Sequence, residues 1–223
     1  ILDLLKVCED FYESPVEIEF AVAPTEDKKL KFGFLQVRPM VVTSEEVHIK
    51  EEELNSDSAI ISSNKVLGNG TRNDIYDIVF VKPESFHKAY TKRIALELEG
   101  LNHRLILDDI PYLLIGFGRW GSTDPWLGIP AAWNQISGAR VIVESTLPDM
   151  NVELSQGSHF FHNLTSFNVS YFSLHHQLNS KIDWDWINEQ ELVKETTFVK
   201  HVRIDKPLSI KVDGKTSQGV ILK

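Results

Sequence analysis

Two stretches of this sequence, PYLLIGFG (111–118) and ARVIVES (139–145), are apolar almost without interruption. A strand with one wet face alternates apolar and polar residues, so an unbroken apolar run is the pattern of a strand covered on both faces. DIYDIVFVKP (74–83) and NVSYFSL (168–174) have the same character. Helical patterns lie between these runs. ESFHKAYTKRIALELEGLNHRL carries a stripe of Phe86, Tyr90, Ile94, Leu98 and Leu101, AAWNQISG closes on Gly138, and SQGSHFFHNLTSF offers Ser155 as an N-cap. Strand and helix in alternation predict an α/β domain over residues 58–178, with a mostly parallel sheet and flanking helices. The domain opens with the short strand AIISS (58–62), followed by turn chemistry in GNGTRND.

The flanking regions read differently. ILDLLKVCEDFYES forms an amphipathic helix that stops before Pro15. VEIEFAV (16–22) alternates strictly, PTEDKK is a polar turn, and LKFGFLQVRPMVV (30–42) is a second strand, so the start of the chain is a helix and a β-hairpin. TSEEVHIKEEELNSD (43–57) holds six acids against one lysine and reads as a solvated linker. After DWDWINEQ, the runs TTFVKHVRI, PLSIKV and GVILK, with a turn at Asp213-Gly214, predict a small antiparallel β appendix over 179–223.

Charge and composition narrow the function classes. Lys and Arg number 23 against 32 Asp and Glu, a net charge of -9 that repels phosphate backbones and argues against nucleic acid as a partner. No apolar run reaches the roughly 18 residues of a membrane span. One cysteine, Cys8, excludes an internal disulfide and fits a reducing, cytoplasmic setting. The first residue is Ile1 and the opening helix lacks the features of a signal peptide, so the sequence reads as starting inside a longer protein.

Chemistry-bearing residues gather first in the hairpin. Glu17 and Glu19 share one face of their strand, and Gln36 and Arg38 share one face of the next. Carboxylates suit hard Mg²⁺ and a guanidinium fork suits a phosphate, although charged residues on the solvent face of a hairpin are also commonplace. VEIEFAV followed by FLQVRPM resembles the closing segment of the ATP-grasp nucleotide-binding domain of phosphoenolpyruvate synthases and pyruvate phosphate dikinases. The resemblance implies that Glu19 helps hold Mg²⁺–ATP and that Gln36 and Arg38 reach the nucleotide phosphates, with residues 1–42 as the tail of that domain. It implies a parent enzyme that moves phosphate from ATP to an acceptor through a phosphohistidine, and the remaining domains of that polypeptide as partners. This chain alone is then expected to be inactive, because neither a glycine-rich phosphate loop with its lysine nor the phosphohistidine domain is present in it.

The second gathering is GFGRWGSTDPWLGIP (116–130). Gly116, Gly118 and Gly121 spell G-x-G-x-x-G after a buried strand, and the next strand ends in Glu144. That layout suggests a dinucleotide site and an NAD(P)-dependent oxidoreductase, but Pro125 and Pro130 interrupt the helix such a site requires, and Glu144 comes late. A broader reading makes Gly116, Gly118, Arg119, Gly121 and Ser122 an anion site for a small phosphorylated ligand, which would leave the chain a non-catalytic binding module. The plainer reading has the glycines turning the chain while Trp120, Trp126 and Trp133 fill a core. GFGRWGS-DPWLGIP with GSHFF (157–161) also resembles a region that follows the ATP-grasp segment in a phosphoenolpyruvate synthase-like family, and no residue role comes with that likeness. His159, His162, His175 and His176 lack zinc-ligand spacing and read as packing residues.

Overall fold

The computed structural model describes residues 1–25, 27, 29–39, 45–176 and 182–223, which fall into two compact units, Ile1–Ser44 and Glu45–Lys223. The end of the second predicted strand (40–42), the first residues of the predicted linker (43–44) and the predicted boundary at 178/179 lie outside the described residues.

In the first unit, helix α1 (Leu2–Tyr12) ends at Glu13, whose left-handed φ of 52° breaks the helix ahead of Pro15. Strands β1 (Val16–Pro24) and β2 (Leu30–Pro39) pair antiparallel as a hairpin, with an irregularity between Glu19 and Phe20. Among the described residues of this unit only Val16 is buried.

The second unit is α/β as expected, built on a mixed nine-stranded sheet. Its parallel part runs β5 (Gly70–Val81), β6 (Tyr112–Phe117), β9 (Ala139–Ser145) and β10 (Ser170–Leu174), in sequence order across the sheet. These are the four apolar runs, although β5 begins at Gly70, inside the segment assigned to a turn. Helix α3 (Thr91–Leu107) connects β5 to β6 and buries Ile94, Leu98, Leu101 and Leu105 against Val79, Leu114 and Ile142. The other two connections are slighter than predicted. A ribbon of β7 (Arg119–Trp120) and β8 (Gly128–Ile129) and a single 3-10 turn at Trp133–Gln135 precede β9, and α4 (Phe161–Ser166) precedes β10.

The tail strands are antiparallel, as the sequence implies, but they are a third of the strands of this same sheet. β12 (Val199–Asp213) pairs with β5 on one side and β13 (Gln218–Leu222) on the other, and β11 (Glu191–Glu195) joins β12. Burial explains the merger: Val199, Val202, Leu208, Ile210, Val212, Val220 and Ile221 are all buried, and an appendix could not cover them. The two ends of the sheet then meet. β3 (Ala59–Ser63) pairs with β13, and β4 (Val66–Leu67) pairs with β10, yet only Asn64 and Lys65 separate β3 from β4. The Ser63 hydroxyl donates to Ser173 O at 2.7 Å and Ser173 N donates to Lys65 O at 2.9 Å. The sheet is thus closed through segment 59–67, and Ile60, Ile78, Phe80, Ile115, Val143 and Phe172 form a second core on the face away from α3.

The acidic segment is also less free than a linker. Asn69 Nδ2 donates to Glu45 O at 2.8 Å, the Thr71 hydroxyl donates to the Glu45 carboxylate, Val47 is buried, and Glu53 of the short α2 (Glu51–Leu54) pairs with Lys211. From Glu45 onward it belongs to the barrel unit. No helix among the described residues is long and apolar enough to cross a membrane.

Candidate functional site

The hairpin brings the sequence-predicted nucleotide residues together. Period-two alternation puts Glu17 and Glu19 on one face of β1, and Gln36 and Arg38 on one face of β2. The antiparallel register sets Glu17 opposite Arg38 and Glu19 opposite Gln36. Directly opposite residues share a face, so all four project from the same side of the ribbon. Arg38 donates to Gln36 Oε1 at 2.9 Å, which holds the guanidinium and the amide side by side. Glu19 and Gln36 are exposed, while Glu17 and Arg38 are half-buried. Carboxylate oxygens and a guanidinium fork are the donors Mg²⁺–phosphate chemistry needs, and Mg²⁺ commonly takes only one or two carboxylates with substrate phosphates and water completing its shell. Among the described residues no group of three His, Cys, Asp or Glu forms a metal cage.

The glycine loop is organised for packing. A Cβ on Gly116 would lie 2.3 Å from the Trp120 ring, so the absence of a side chain lets that indole fold back into the core, where its Nε1 donates to Val143 O at 2.9 Å. The consecutive backbone N–H groups an anion would need are already used. Gly118 N donates to Ser145 O, Arg119 N to Leu127 O and Gly121 N to Ile129 O, at 2.8 to 2.9 Å. Trp120 N donates to Glu144 Oε1 at 3.2 Å. Arg119 Nε donates to Glu153 O at 2.6 Å, and the Ser122 hydroxyl closes a local turn with Asp124. The chain after the loop enters the β7–β8 ribbon and begins no helix, so it provides neither the N–H cradle nor the dipole of a dinucleotide site. Gly116, Gly118, Arg119, Gly121 and Ser122 hold the loop shut.

Glu144, the acid of the dinucleotide-like layout, faces this loop and is fully buried. Oε1 also accepts from the Ser155 hydroxyl at 2.6 Å and Oε2 from Gln156 N at 2.9 Å, so Ser155 fastens the segment before α4 to β9 and is not a helix cap. Burial pushes the Glu144 carboxyl above its ordinary value, with the hydrogen bonds from Ser155, Gln156 and Trp120 opposing the shift. The neighbouring Tyr171 hydroxyl is buried without a hydrogen bond among the described residues, and burial together with the Glu144 charge raises it well above its ordinary value.

Sequence reasoning passed over a third place. A cavity of about 800 Å³ opens where β6, β9 and β10 end, lined among others by Phe117, Ser145, Thr146, His176 and Trp184. The available signal was positional: Ser145-Thr146 and His175-His176 directly follow two buried parallel strands, at the carboxyl edge where ligands of α/β sheets gather. Comparison with protein-family models, curated proteins and solved structures found no match to this chain.

Proposed function

We propose that residues 1–39 form the closing edge of an ATP-grasp nucleotide site of the phosphoenolpyruvate synthase type, completed by further domains of the same parent polypeptide. The observation that carries this reading is the hairpin register, which gathers Glu17, Glu19, Gln36 and Arg38 on one face. In this reading Glu19 contributes a ligand to Mg²⁺, Gln36 hydrogen-bonds the nucleotide phosphates, and Arg38 neutralises phosphate charge as it builds during transfer. Bound Mg²⁺ would supply positive charge to offset that of the phosphates. A second observation agrees: the hairpin and α1 expose Phe11, Phe20, Phe32, Phe34 and Leu35, apolar surface fitted to a neighbouring domain. The phosphohistidine and the acceptor site belong to those other domains, so this chain alone transfers no phosphate.

An NMR titration with Mg²⁺–ATP tests the proposal. Weak, millimolar binding that shifts the amides of residues 16–20 and 35–39, and that disappears in Arg38→Ala, is the expected result. Hairpin resonances that stay fixed, or that shift equally in Arg38→Ala, would overturn it.

A further inference from the structure

We propose that the cavity at the carboxyl ends of β6, β9 and β10 is a binding site for a small uncharged ring compound carrying a hydroxyl or carbonyl oxygen. This site is separate in its residues from the hairpin face and does not depend on the nucleotide reading.

Sequence alternation explains why the mouth of the barrel has hydrogen-bonding groups. Along β9, Val141 and Val143 point into the inner core, so Ser145, two residues on, continues that face at the point where the core gives way to the cavity. Ser145 is only 5% exposed, and its hydroxyl makes no hydrogen bond among the described residues. That hydroxyl lines the cavity, where it is available to an oxygen placed there. Beside it, Thr146 Oγ1 accepts from His176 N at 3.0 Å and lies 2.9 Å from His176 Nδ1. The threonine hydroxyl has one proton to give. Giving it to Nδ1 leaves the proton of the neutral ring on Nε2, which is then a second donor for an incoming oxygen.

The rest of the lining fixes the ligand's body and charge. Phe117 and Trp184, with ring centroids 6.0 Å apart, supply flat aromatic surface, and Leu174 and Ile182 supply aliphatic surface. Among the described residues the lining includes no Asp, Glu, Lys or Arg. A phosphorylated or carboxylated ligand would enter with no fixed countercharge, whereas an uncharged ring meets apolar walls and convergent polar groups. A volume of about 800 Å³ accommodates a bicyclic molecule.

The test is a matched pair of probes on the full chain, 2-naphthol and 2-naphthyl phosphate, followed by calorimetry and amide NMR. The expected result is saturable binding of 2-naphthol that shifts Ser145, Thr146, His176 and the Trp184 indole, with 2-naphthyl phosphate at least ten-fold weaker. Ser145→Ala should weaken 2-naphthol about five-fold, the loss of one ordinary hydrogen bond. Ser62→Phe, which fills the mouth from β3, should abolish binding while leaving the urea midpoint near that of the parent chain. Absent saturation, shifts confined to other residues, or equal affinity for the phosphate would each overturn the proposal. Unchanged binding in Ser145→Ala would do the same, and it keeps the test decisive should Ser62→Phe fail to fold.

Discussion

Residues 1–39 and residues 45–223 use apolar side chains in opposite ways. Among its described residues the first unit buries only Val16 and leaves Leu2, Phe11, Phe20, Phe32 and Leu35 exposed. The second packs one core under α3 and another inside the closed sheet, with Ile60, Ile78, Leu113, Ile115 and Val143 each fully buried. A two-stranded ribbon with one short helix has too little area to enclose a core, and two strands are at best marginal alone. Strands that close on themselves can fill an interior without help. The buried core is therefore concentrated in the second unit, and mutations should separate the two units by their cost in stability.

The largest effect is expected at Trp120. Its indole occupies space left by Gly116 and its Nε1 satisfies Val143 O, so Trp120→Ala opens a cavity and strands a carbonyl. A loss of about 4 kcal/mol in urea unfolding follows from the usual cost of deleting a buried aromatic. A loss below about 1 kcal/mol would show that the loop is not part of the core and would reopen its reading as a ligand cradle.

Glu144 comes next. Glu144→Ala leaves Trp120 N, Gln156 N and the Ser155 hydroxyl without their acceptor, and about 3 kcal/mol should be lost. The same residue gives a pH test. Its folded-state value is raised by burial, so between about 4.3, where an unfolded glutamate titrates, and that raised value the folded protein holds more protons than the unfolded chain. Glu144 therefore contributes stability that is present at low pH and is lost as pH rises through its folded value. Glu53, Glu195 and Asp213, all lowered first by side-chain hydrogen bonds, act in the opposite sense and lose their contribution as pH falls. Subtracting the pH profile of Glu144→Gln isolates the buried acid, and the difference should fall as pH increases. A flat difference would mean that folding does not raise the Glu144 carboxyl above its unfolded value.

How much of this was legible depends on how local the determining contacts are. The parallel strands could be read because burial on both faces writes itself into consecutive residues such as Leu113, Leu114 and Ile115. The hairpin face could be read because period-two alternation fixes which side chains share a side, and the register required only a short turn. Closure of the sheet could not. Alternation in 199–213 announces a strand, but nothing local says that its neighbour is β5, more than a hundred residues earlier. The glycine loop was ambiguous for a physical reason: Gly116 makes room for a tryptophan ring four residues away, and a phosphate cradle leaves the same letters in the sequence.

The smallest effect is expected in the hairpin, and it bears most directly on the contrast between the units. Phe32 is 40% exposed, with its ring centroid 5.0 Å from that of Phe20 across the strands. Phe32→Ser removes that ring contact but uncovers no enclosed core, so the urea midpoint should move by no more than about 0.5 kcal/mol. What should change is stickiness, because exposed aromatic surface on a ribbon is what self-association and hydrophobic dye binding report. Less dye binding with an unchanged unfolding curve would keep the hairpin as a recognition surface distinct from the barrel's stability. A cost of about 2 kcal/mol or more would mean that Phe32 is covered in solution, and a midpoint that falls with protein concentration would then identify a second copy of the chain as its cover.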